Sequence, residues 1–216
     1  MKQEQSTAWL NGWLFLLNGV AGFMNLATIL YLKTASTHYT GHLSQLAFDL
    51  GRGNFSHFSW LLAVIASFVC GSMLSGYLFA DRVFYLKRRY GVTLMVLGAG
   101  HLLLALLLYY PFWLICYCAF CAGTQNGLFI FYRGALVRTT HFTGYLTDIG
   151  FELGRTLKGQ HDAFWKVRFY LASIGYFVLG GVLAYSIGES ALKLVGLGYL
   201  LAGSYYFIFR NYFYNT

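Results

Sequence analysis

Charged residues and polar segments are what this sequence lacks. Only 10% of its 216 residues are Asp, Glu, Lys or Arg, whereas an ordinary soluble domain has roughly 25%. Proline occurs once, and no segment rich in proline, glycine and serine divides the chain. These absences exclude a water-soluble globule and a string of linked domains. The 58% apolar content instead predicts an all-α polytopic membrane protein with a single transmembrane domain over residues 1–216.

Acidic residues and motifs for catalysis are scarce as well. Seven acidic residues face 15 basic ones, which gives a net charge of +8. The basic residues flank apolar segments, so lipid headgroups explain them better than a nucleic acid does. The four cysteines lie inside apolar stretches and predict buried thiols rather than disulfides or ligands: Cys70, Cys116, Cys118 and Cys121. We expect the bilayer as a partner, and no nucleic acid, cofactor or metal.

Six apolar segments are long enough to cross a bilayer, which needs about 17–25 residues. The predicted spans are residues 9–32, 60–80, 92–110, 112–132, 169–187 and 191–209. The first is too long for a signal-peptide core and is expected to be retained. With six spans, 12 of the 15 basic residues fall on one side. The positive-inside rule then predicts a multi-pass protein of the cytoplasmic (inner) membrane with both termini in the cytoplasm.

Two stretches between the predicted spans resemble each other. Residues 37–52 align without gaps to residues 140–155, and nine of the sixteen positions are identical. Flanking segments match as well, residues 21–25 with 122–126 and residues 68–71 with 177–180. The identities include Thr, His, Gly and Arg in register, which chance similarity between apolar sequences does not produce. The chain therefore divides into repeat one, residues 8–110, and repeat two, residues 111–212. Each repeat holds three spans, an odd number, so the second repeat is inverted relative to the first.

Each duplicated stretch predicts a short amphipathic helix. Thr40 and Thr143 are expected to cap its start, and Gly51 and Gly154 are expected at its end. The polar face carries Gln45, Asp49 and Arg52 in the first stretch and Asp148, Glu152 and Arg155 in the second. Two interpretations stay open. The helices are either re-entrant half-helices with their N-termini in the bilayer, or interfacial helices with their polar faces in water.

Inverted repeats with interrupted segments are typical of transporters whose site lies near the bilayer midplane. The duplicated Thr-His-x-Thr-Gly order supplies polar groups for such a site. The predicted substrate-binding residues are His38, Thr40, Gly41, His141, Thr143 and Gly144, with Asn25 and Asn126 lining the cavity. The alternative for the asparagines is hydrogen bonding between helices, and for the histidines a hydrogen bond within their loops.

These residues favour a small transporter or permease for a small anion or polar solute. One alternative is a membrane-embedded enzyme acting on a lipid or hydrophobic substrate, with His38 or His141 as the acid or base. Another is a non-catalytic assembly protein. The substrate, the direction and the coupling ion are not predicted, and a homo-oligomer is compatible with the pattern.

Four segments carry a family resemblance: residues 22–25 (Gly-Phe-Met-Asn), 40–41 (Thr-Gly), 123–126 (Gly-Thr-Gln-Asn) and 138–144. At these segments the chain resembles the YoaK-like family of six-span bacterial membrane proteins of unknown function, and the resemblance covers nearly the whole chain. It implies the six-span fold and the membrane location. Asn25 stands where the family typically has aspartate, and His42 where it has asparagine. Proton coupling through that aspartate is therefore not implied for this chain.

Overall fold

The computed structural model describes residues 2–80, 84–107, 110–128, 130–132 and 135–214. The helices in these ranges are α1 Lys2–Leu32, α2 Tyr39–Arg52, α3 Phe55–Leu78, α4 Arg88–Leu107, α5 Pro111–Asn126, α6 Phe142–Leu157, α7 Phe164–Ile187 and α8 Ala191–Tyr214. A short 3-10 helix, Gly188–Ser190, joins α7 to α8. The prediction of an all-α protein is confirmed, and α2 and α6 coincide with the duplicated stretches.

The long helices have the length and composition of membrane spans. Four stretches qualify: Thr7–Leu32, Phe55–Leu78, Arg88–Leu107 and Phe164–Phe213, the last of which contains both α7 and α8. A helix of 24 residues extends about 36 Å, which exceeds the roughly 30 Å hydrocarbon core of a bilayer. Large apolar side chains such as Met73, Leu106 and Leu179 point outward. The chain therefore fits a multi-pass membrane protein whose apolar helices contact lipid.

The predicted span 112–132 is wrong in its last six residues. Helix α5 ends at Asn126, and the chain then forms a small antiparallel hairpin of β1, Ile130–Tyr132, and β2, Ala135–Val137. Gly127 follows the helix and lies so close to Ser75 of α3 that a larger residue would collide with it. An apolar run alone does not distinguish a helix from a short strand, which is why the sequence pattern extended this span too far.

One end of the bundle gathers the start of α1, the start of α4 and the end of α8. Trp9 stacks on Phe209 with ring centroids 6.4 Å apart, and Arg210 Nε donates a 3.0 Å hydrogen bond to the Leu86 carbonyl. Phe15 contacts Phe169 in the first turns of α7. We call this the basic end, since it carries Lys87, Arg88, Arg89, Lys166, Arg168 and Arg210.

The other end of the bundle, which we call the opposite end, gathers the remaining helix termini. Tyr31 at the end of α1, Pro111 at the start of α5 and Glu189 between α7 and α8 line one small pocket there. Lys33 after α1 and His57 in α3 line another. Helices α1, α4 and α7 therefore run from the basic end to the opposite end, while α3, α5 and α8 run back.

Helices α1 and α7 cross in close contact through glycines. Gly22 of α1 lies against the backbone of Phe177, and Gly180 of α7 lies against the carbonyl oxygen of Gly19. A β-carbon at Gly22 or Gly180 would overlap those backbone atoms. Small residues that let backbones approach are the usual way in which membrane helices associate.

The crossing of α5 with α3 has the same construction. Gly123 of α5 lies against the backbone of Phe68, and Gly71 of α3 lies against the carbonyl oxygen of Phe120. The internal similarity pairs three of these residues with residues at the crossing of α1 with α7: Gly123 with Gly22, Phe68 with Phe177 and Gly71 with Gly180. The first helix of each repeat thus packs on the second long helix of the other repeat.

Candidate functional site

A cavity of about 400 Å³ brings the two duplicated stretches together. Six of the eight predicted site residues line it: Asn25, His38, Thr40, Asn126, His141 and Thr143. Phe68 and Phe177 also line it, and each lies near the middle of a 24-residue helix. The cavity is therefore at mid-depth in the bundle and is lined by residues of both repeats.

The two predicted glycines lie behind the histidines rather than in the cavity wall. A β-carbon at Gly144 would be 2.7 Å from Cδ2 of His141, which is too close, so a side chain there would push the imidazole. The same atom at Gly41 would be 3.5 Å from the His38 ring, which is ordinary contact. Gly144 thus controls the position of a cavity side chain without touching the cavity itself.

Several lining residues were missed by the prediction. Thr37 and Thr140 line the cavity, as do the aromatic residues Tyr39 and Phe142. The internal alignment already paired Thr37 with Thr140 and Tyr39 with Phe142. The signal was present, but the prediction gave weight to Thr40 and Thr143, which were expected to act as helix caps.

The expected capping is wrong. Helix α2 begins at Tyr39 with His38 as its N-cap, and α6 begins at Phe142 with His141 as its N-cap. Neither histidine side chain makes a capping hydrogen bond. The first turn of a helix has backbone N–H groups with no partner inside the helix. Two such turns, including Thr40 and Thr143, thus border the same cavity.

The ends of these helices also lie beyond the predicted glycines. Gly51 is inside α2, which ends at Arg52 and is followed by Gly53 with a φ of 71°. Helix α6 runs past Gly154 to Leu157, and Gly159 has a φ of 82°. Glycine is the residue that adopts this left-handed conformation without strain. A second glycine downstream in each stretch fills that role.

The middle of each polar face points into the protein, whereas Arg52 of α2 and Asp148 of α6 are exposed. Asp49 is 3% exposed, and its Oδ2 lies 2.6 Å from Nδ1 of His57 in α3. Glu152 is 5% exposed and accepts a 2.8 Å hydrogen bond from Lys166 in α7. Large apolar residues such as Leu146 face outward instead. One buried acidic residue therefore anchors each helix to the long helix that follows it.

The anchor in repeat two is a network of charges. Arg155 donates to Glu152 over 3.1 Å and to Asp162 over 2.9 Å. The hydrogen bond from Lys166 holds the pKa of Glu152 below its ordinary value of 4.5, and the charge of Arg155 acts in the same direction. The ionised form of Glu152 is thereby favoured in the folded protein.

Asn126 and the preceding residue, Gln125, have different roles at the end of α5. Gln125 is buried, and its Nε2 donates to the Leu17 carbonyl over 2.9 Å and to Thr139 Oγ1 over 2.8 Å. Tyr199 of α8 donates to Gln125 Oε1 over 2.9 Å. Gln125 therefore makes hydrogen bonds between helices of the kind that was the alternative for Asn126. Asn126 alone reaches the cavity.

The described lining of the cavity contains no Asp, Glu, Lys, Arg or Cys. Its polar side-chain groups are the carboxamides of Asn25 and Asn126, four threonine hydroxyls, the Tyr39 hydroxyl and the imidazoles of His38 and His141. Two helix N-termini add positive partial charge. In the described part of the chain no cluster of three or more metal-binding side chains occurs. Arg133, for which the sequence favours anchoring at the cytoplasmic side over an anion gate, lies outside the described residues.

The comparison with protein families gives a match over most of the chain. Residues 13–205 match the family described as "Protein of unknown function (DUF1275)". The chain belongs to this family. The match covers most of both repeats and every predicted site residue. Membership of an uncharacterised family is thus confirmed, while the YoaK-like part of the resemblance stays a prediction. Neither the curated proteins nor the solved structures gave a match.

Proposed function

We propose that this DUF1275 protein is a small permease that moves a small anion or polar solute through the cavity between its two motif helices. The observation that carries the proposal is the meeting of two uncapped helix N-termini in one polar cavity at mid-depth. Such N-termini bind anions through their free N–H groups and the helix dipole. An anion or an oxygen-rich solute would satisfy donors that lipid leaves unpaired.

The proposal includes six membrane spans in two inverted repeats. The alternating directions of α1, α3, α4, α5, α7 and α8 support it, as does the matched construction of the two glycine crossings. Helix α5 has only 16 residues because the chain leaves it at mid-depth to form the hairpin. Inverted repeats with half-helices that meet at the midplane are a recurrent design of transporters.

A membrane-embedded enzyme is less well supported by this cavity. His38 and His141 would supply an acid or a base, but the described lining has no carboxylate or thiol to act with them. A scaffold protein with a dry core would have no use for a polar cavity of about 400 Å³. Permeation is the function that uses the uncapped N-termini and the polar lining together.

Permeation can be tested without knowledge of the substrate. Purified protein is reconstituted in liposomes, and shrinkage and swelling are followed by light scattering in potassium nitrate, formate or acetate with valinomycin, and in glycerol. We expect faster volume change than in empty liposomes for at least one solute. Gly144→Leu should abolish it, since the added side chain displaces His141.

Gly150→Leu is the matched control, because Gly150 lies in the same helix with nothing within 4 Å of its β-carbon position. We expect this variant to conduct like the unmodified protein. Equal rates for empty liposomes and for liposomes with protein in all four solutes would contradict the proposal. So would unchanged flux in a folded Gly144→Leu variant.

A further inference from the structure

The two cavity asparagines present hydrogen-bond donors. Asn25 Oδ1 accepts hydrogen bonds from the Thr37 N–H over 3.2 Å and from the Thr37 hydroxyl over 2.8 Å. Because a backbone N–H only donates, the bonded atom of Asn25 is its oxygen, and the Nδ2 amide with its two N–H groups is left for the cavity. Asn126 Oδ1 is buried, which leaves the Nδ2 amide of Asn126 to line the cavity in the same way. Neither Nδ2 amide makes a hydrogen bond to a residue that the structure describes.

The first turns of α2 and α6 add donors and positive charge. Neither helix has a side-chain cap, so the first N–H groups of each helix have no partner inside that helix. Each helix N-terminus carries roughly half an elementary charge, and two of them sum to about one positive charge. The described lining has no Lys or Arg that adds to this charge. The cavity therefore matches an anion with a single negative charge, since a second charge would be buried without compensation.

Two repeat-related aromatic pairs form the apolar part of the lining. Tyr39 of α2 packs on Phe68 of α3 with ring centroids 3.9 Å apart, and Phe142 of α6 packs on Phe177 of α7 with ring centroids 4.2 Å apart. All four residues line the cavity. The Tyr39 hydroxyl donates to the Ser36 carbonyl over 2.8 Å, so Tyr39 contributes chiefly the apolar surface of its ring. Each repeat thus places an aromatic wall beside its donors.

The size of the cavity distinguishes an organic anion from an inorganic one. Its volume of about 400 Å³ lies among the pockets of roughly 300–1,000 Å³ that hold organic ligands, in which apolar walls carry most of the contact and a few polar groups fix the orientation. A chloride or nitrate ion would use the donors and leave the aromatic walls without contact. An anion with a flat apolar body uses both parts of the lining.

We propose that the cavity binds a small aromatic monocarboxylate, of which benzoate is the simplest. This inference rests on the proposed permease function and names the class of its substrate. The carboxylate accepts hydrogen bonds from the first turns of α2 and α6 and from Asn25 and Asn126, while the ring lies between Phe68 and Phe177. A carboxylate has two equivalent oxygens, and benzoate has a two-fold axis through its ring. The molecule therefore suits a site lined by matching residues of two repeats.

The test measures binding of radiolabelled benzoate to the unmodified protein in lipid nanodiscs by equilibrium dialysis at pH 8, with empty nanodiscs as the blank. We expect saturable binding. Acetate, phthalate and benzamide should each compete at least tenfold more weakly than unlabelled benzoate, because they lack the ring, carry a second charge or lack the charge, respectively. No saturable binding, or a competitor that equals benzoate, would overturn the proposal.

Substitutions locate the binding site in this cavity. Phe177→Leu keeps an apolar side chain but removes the ring, and should weaken benzoate binding about two- to tenfold, the range for an aromatic contact. Phe151→Leu is the matched control, because Phe151 is 67% exposed on the outward side of α6, and its affinity should stay within twofold. Asn126→Asp replaces a donor by a carboxylate of nearly the same shape and should weaken binding at least tenfold. Equal affinities of the folded Phe177→Leu and Phe151→Leu variants, or unchanged binding in Asn126→Asp, would place benzoate elsewhere and overturn the assignment.

The liposome assay keeps this inference separate from the permease function. Flux of nitrate, formate, acetate or glycerol without benzoate binding would leave the permease standing and remove the aromatic substrate class. Benzoate binding that responds to Phe177→Leu and Asn126→Asp, without flux of any solute, would keep the binding site and remove the permease function.

Discussion

At the scale of single residues, the glycines of the helix crossings are the most constrained positions. Gly22 and Gly123 lie directly against backbone atoms of the helix that crosses them. The neighbouring Gly19 has more space, since a β-carbon there would be 3.6 Å from the Tyr176 carbonyl oxygen, an ordinary contact. Backbone atoms cannot rotate away as a flexible side chain can, so the crossing has to separate to accept a methyl group.

We predict that Gly22→Ala destabilises the protein by about 1–3 kcal/mol, the usual cost of overpacking a filled interior. Gly19→Ala, three residues earlier in the same helix, should stay within about 0.5 kcal/mol of the unmodified protein. Thermal unfolding in lipid nanodiscs measures both. Equal effects of the two substitutions would show that the crossing has more room than the structure gives it.

At the scale of elements, α2 and α6 combine an outward apolar face with an inward acidic anchor. Leu146, in the first turns of α6, is 62% exposed, and Leu157 at its end is 90% exposed. A re-entrant helix would hold Leu146 at mid-depth in lipid and Leu157 near the membrane surface. An interfacial helix would hold both at the same depth. The anchors do not distinguish these arrangements, but a charge placed on the outward face does.

We predict a gradient of cost along α6. Leu146→Lys should destabilise the protein by about 2.5–3.5 kcal/mol, as expected for a lysine at the centre of a bilayer. Leu157→Lys should cost less than about 1 kcal/mol, since its amine reaches the interface. Unfolding of the two variants in nanodiscs measures the difference. Equal costs would favour the interfacial arrangement of the helix.

The ion pairs of Glu152 in α6 make the stability of the folded protein depend on pH in the acid range. The pKa of Glu152 is lowered in the folded protein, chiefly by the hydrogen bond from Lys166. A lowered carboxyl pKa contributes stability that is fully present above its unfolded value, and that is lost as the pH falls through the folded value. The window therefore lies below about pH 4.5, the ordinary value.

We predict that the unfolding temperature of the unmodified protein falls as the pH is lowered through this window. Glu152→Gln should have a lower unfolding temperature at pH 7, and that temperature should fall less steeply as the pH is lowered. Glu189→Gln, which removes an exposed carboxylate at the opposite end, should follow the unmodified protein. An acid profile that is identical in Glu152→Gln and in the unmodified protein would contradict the role of this pair.

At the scale of the whole molecule, the ends of the chain share one end of the bundle. The start of α1 contacts the end of α8 through Trp9 and Phe209, and this end carries the basic residues of α4 and α7. Basic residues are retained on the cytoplasmic side of bacterial and other membranes. The molecule therefore has one orientation that agrees with its charge and one that does not.

We predict that both termini are cytoplasmic. A reporter that is active only in the periplasm should be inactive when fused to the C-terminus and active when inserted between α7 and α8, at the 3-10 helix Gly188–Ser190. Replacing Lys87, Arg88 and Arg89 by neutral residues should produce a mixed orientation. Strong activity of the C-terminal fusion of the unmodified chain would reverse the assignment.

The sequence by itself determined the membrane class, the long helices and the duplicated stretches, because hydropathy and internal similarity are local properties of the chain. Six of the residues that line the cavity were also predicted from the sequence, because the same polar residue types occur at matching positions of the two repeats. The sequence pattern misjudged the caps of α2 and α6 and the end of α5. Those features depend on neighbours distant in the sequence.

Only the tertiary structure decided that His38 and His141 meet in one cavity and that Asp49 and Glu152 turn inward. An amphipathic pattern gives the two faces of a helix but not which of them meets the protein, because in a membrane the apolar face can point to lipid. The structure alone also placed Phe68 and Phe177, one from each repeat, in the wall of that cavity. Both lie in apolar runs, and such a run indicates a membrane span without showing which of its residues meet a cavity, because that depends on the helices packed against it.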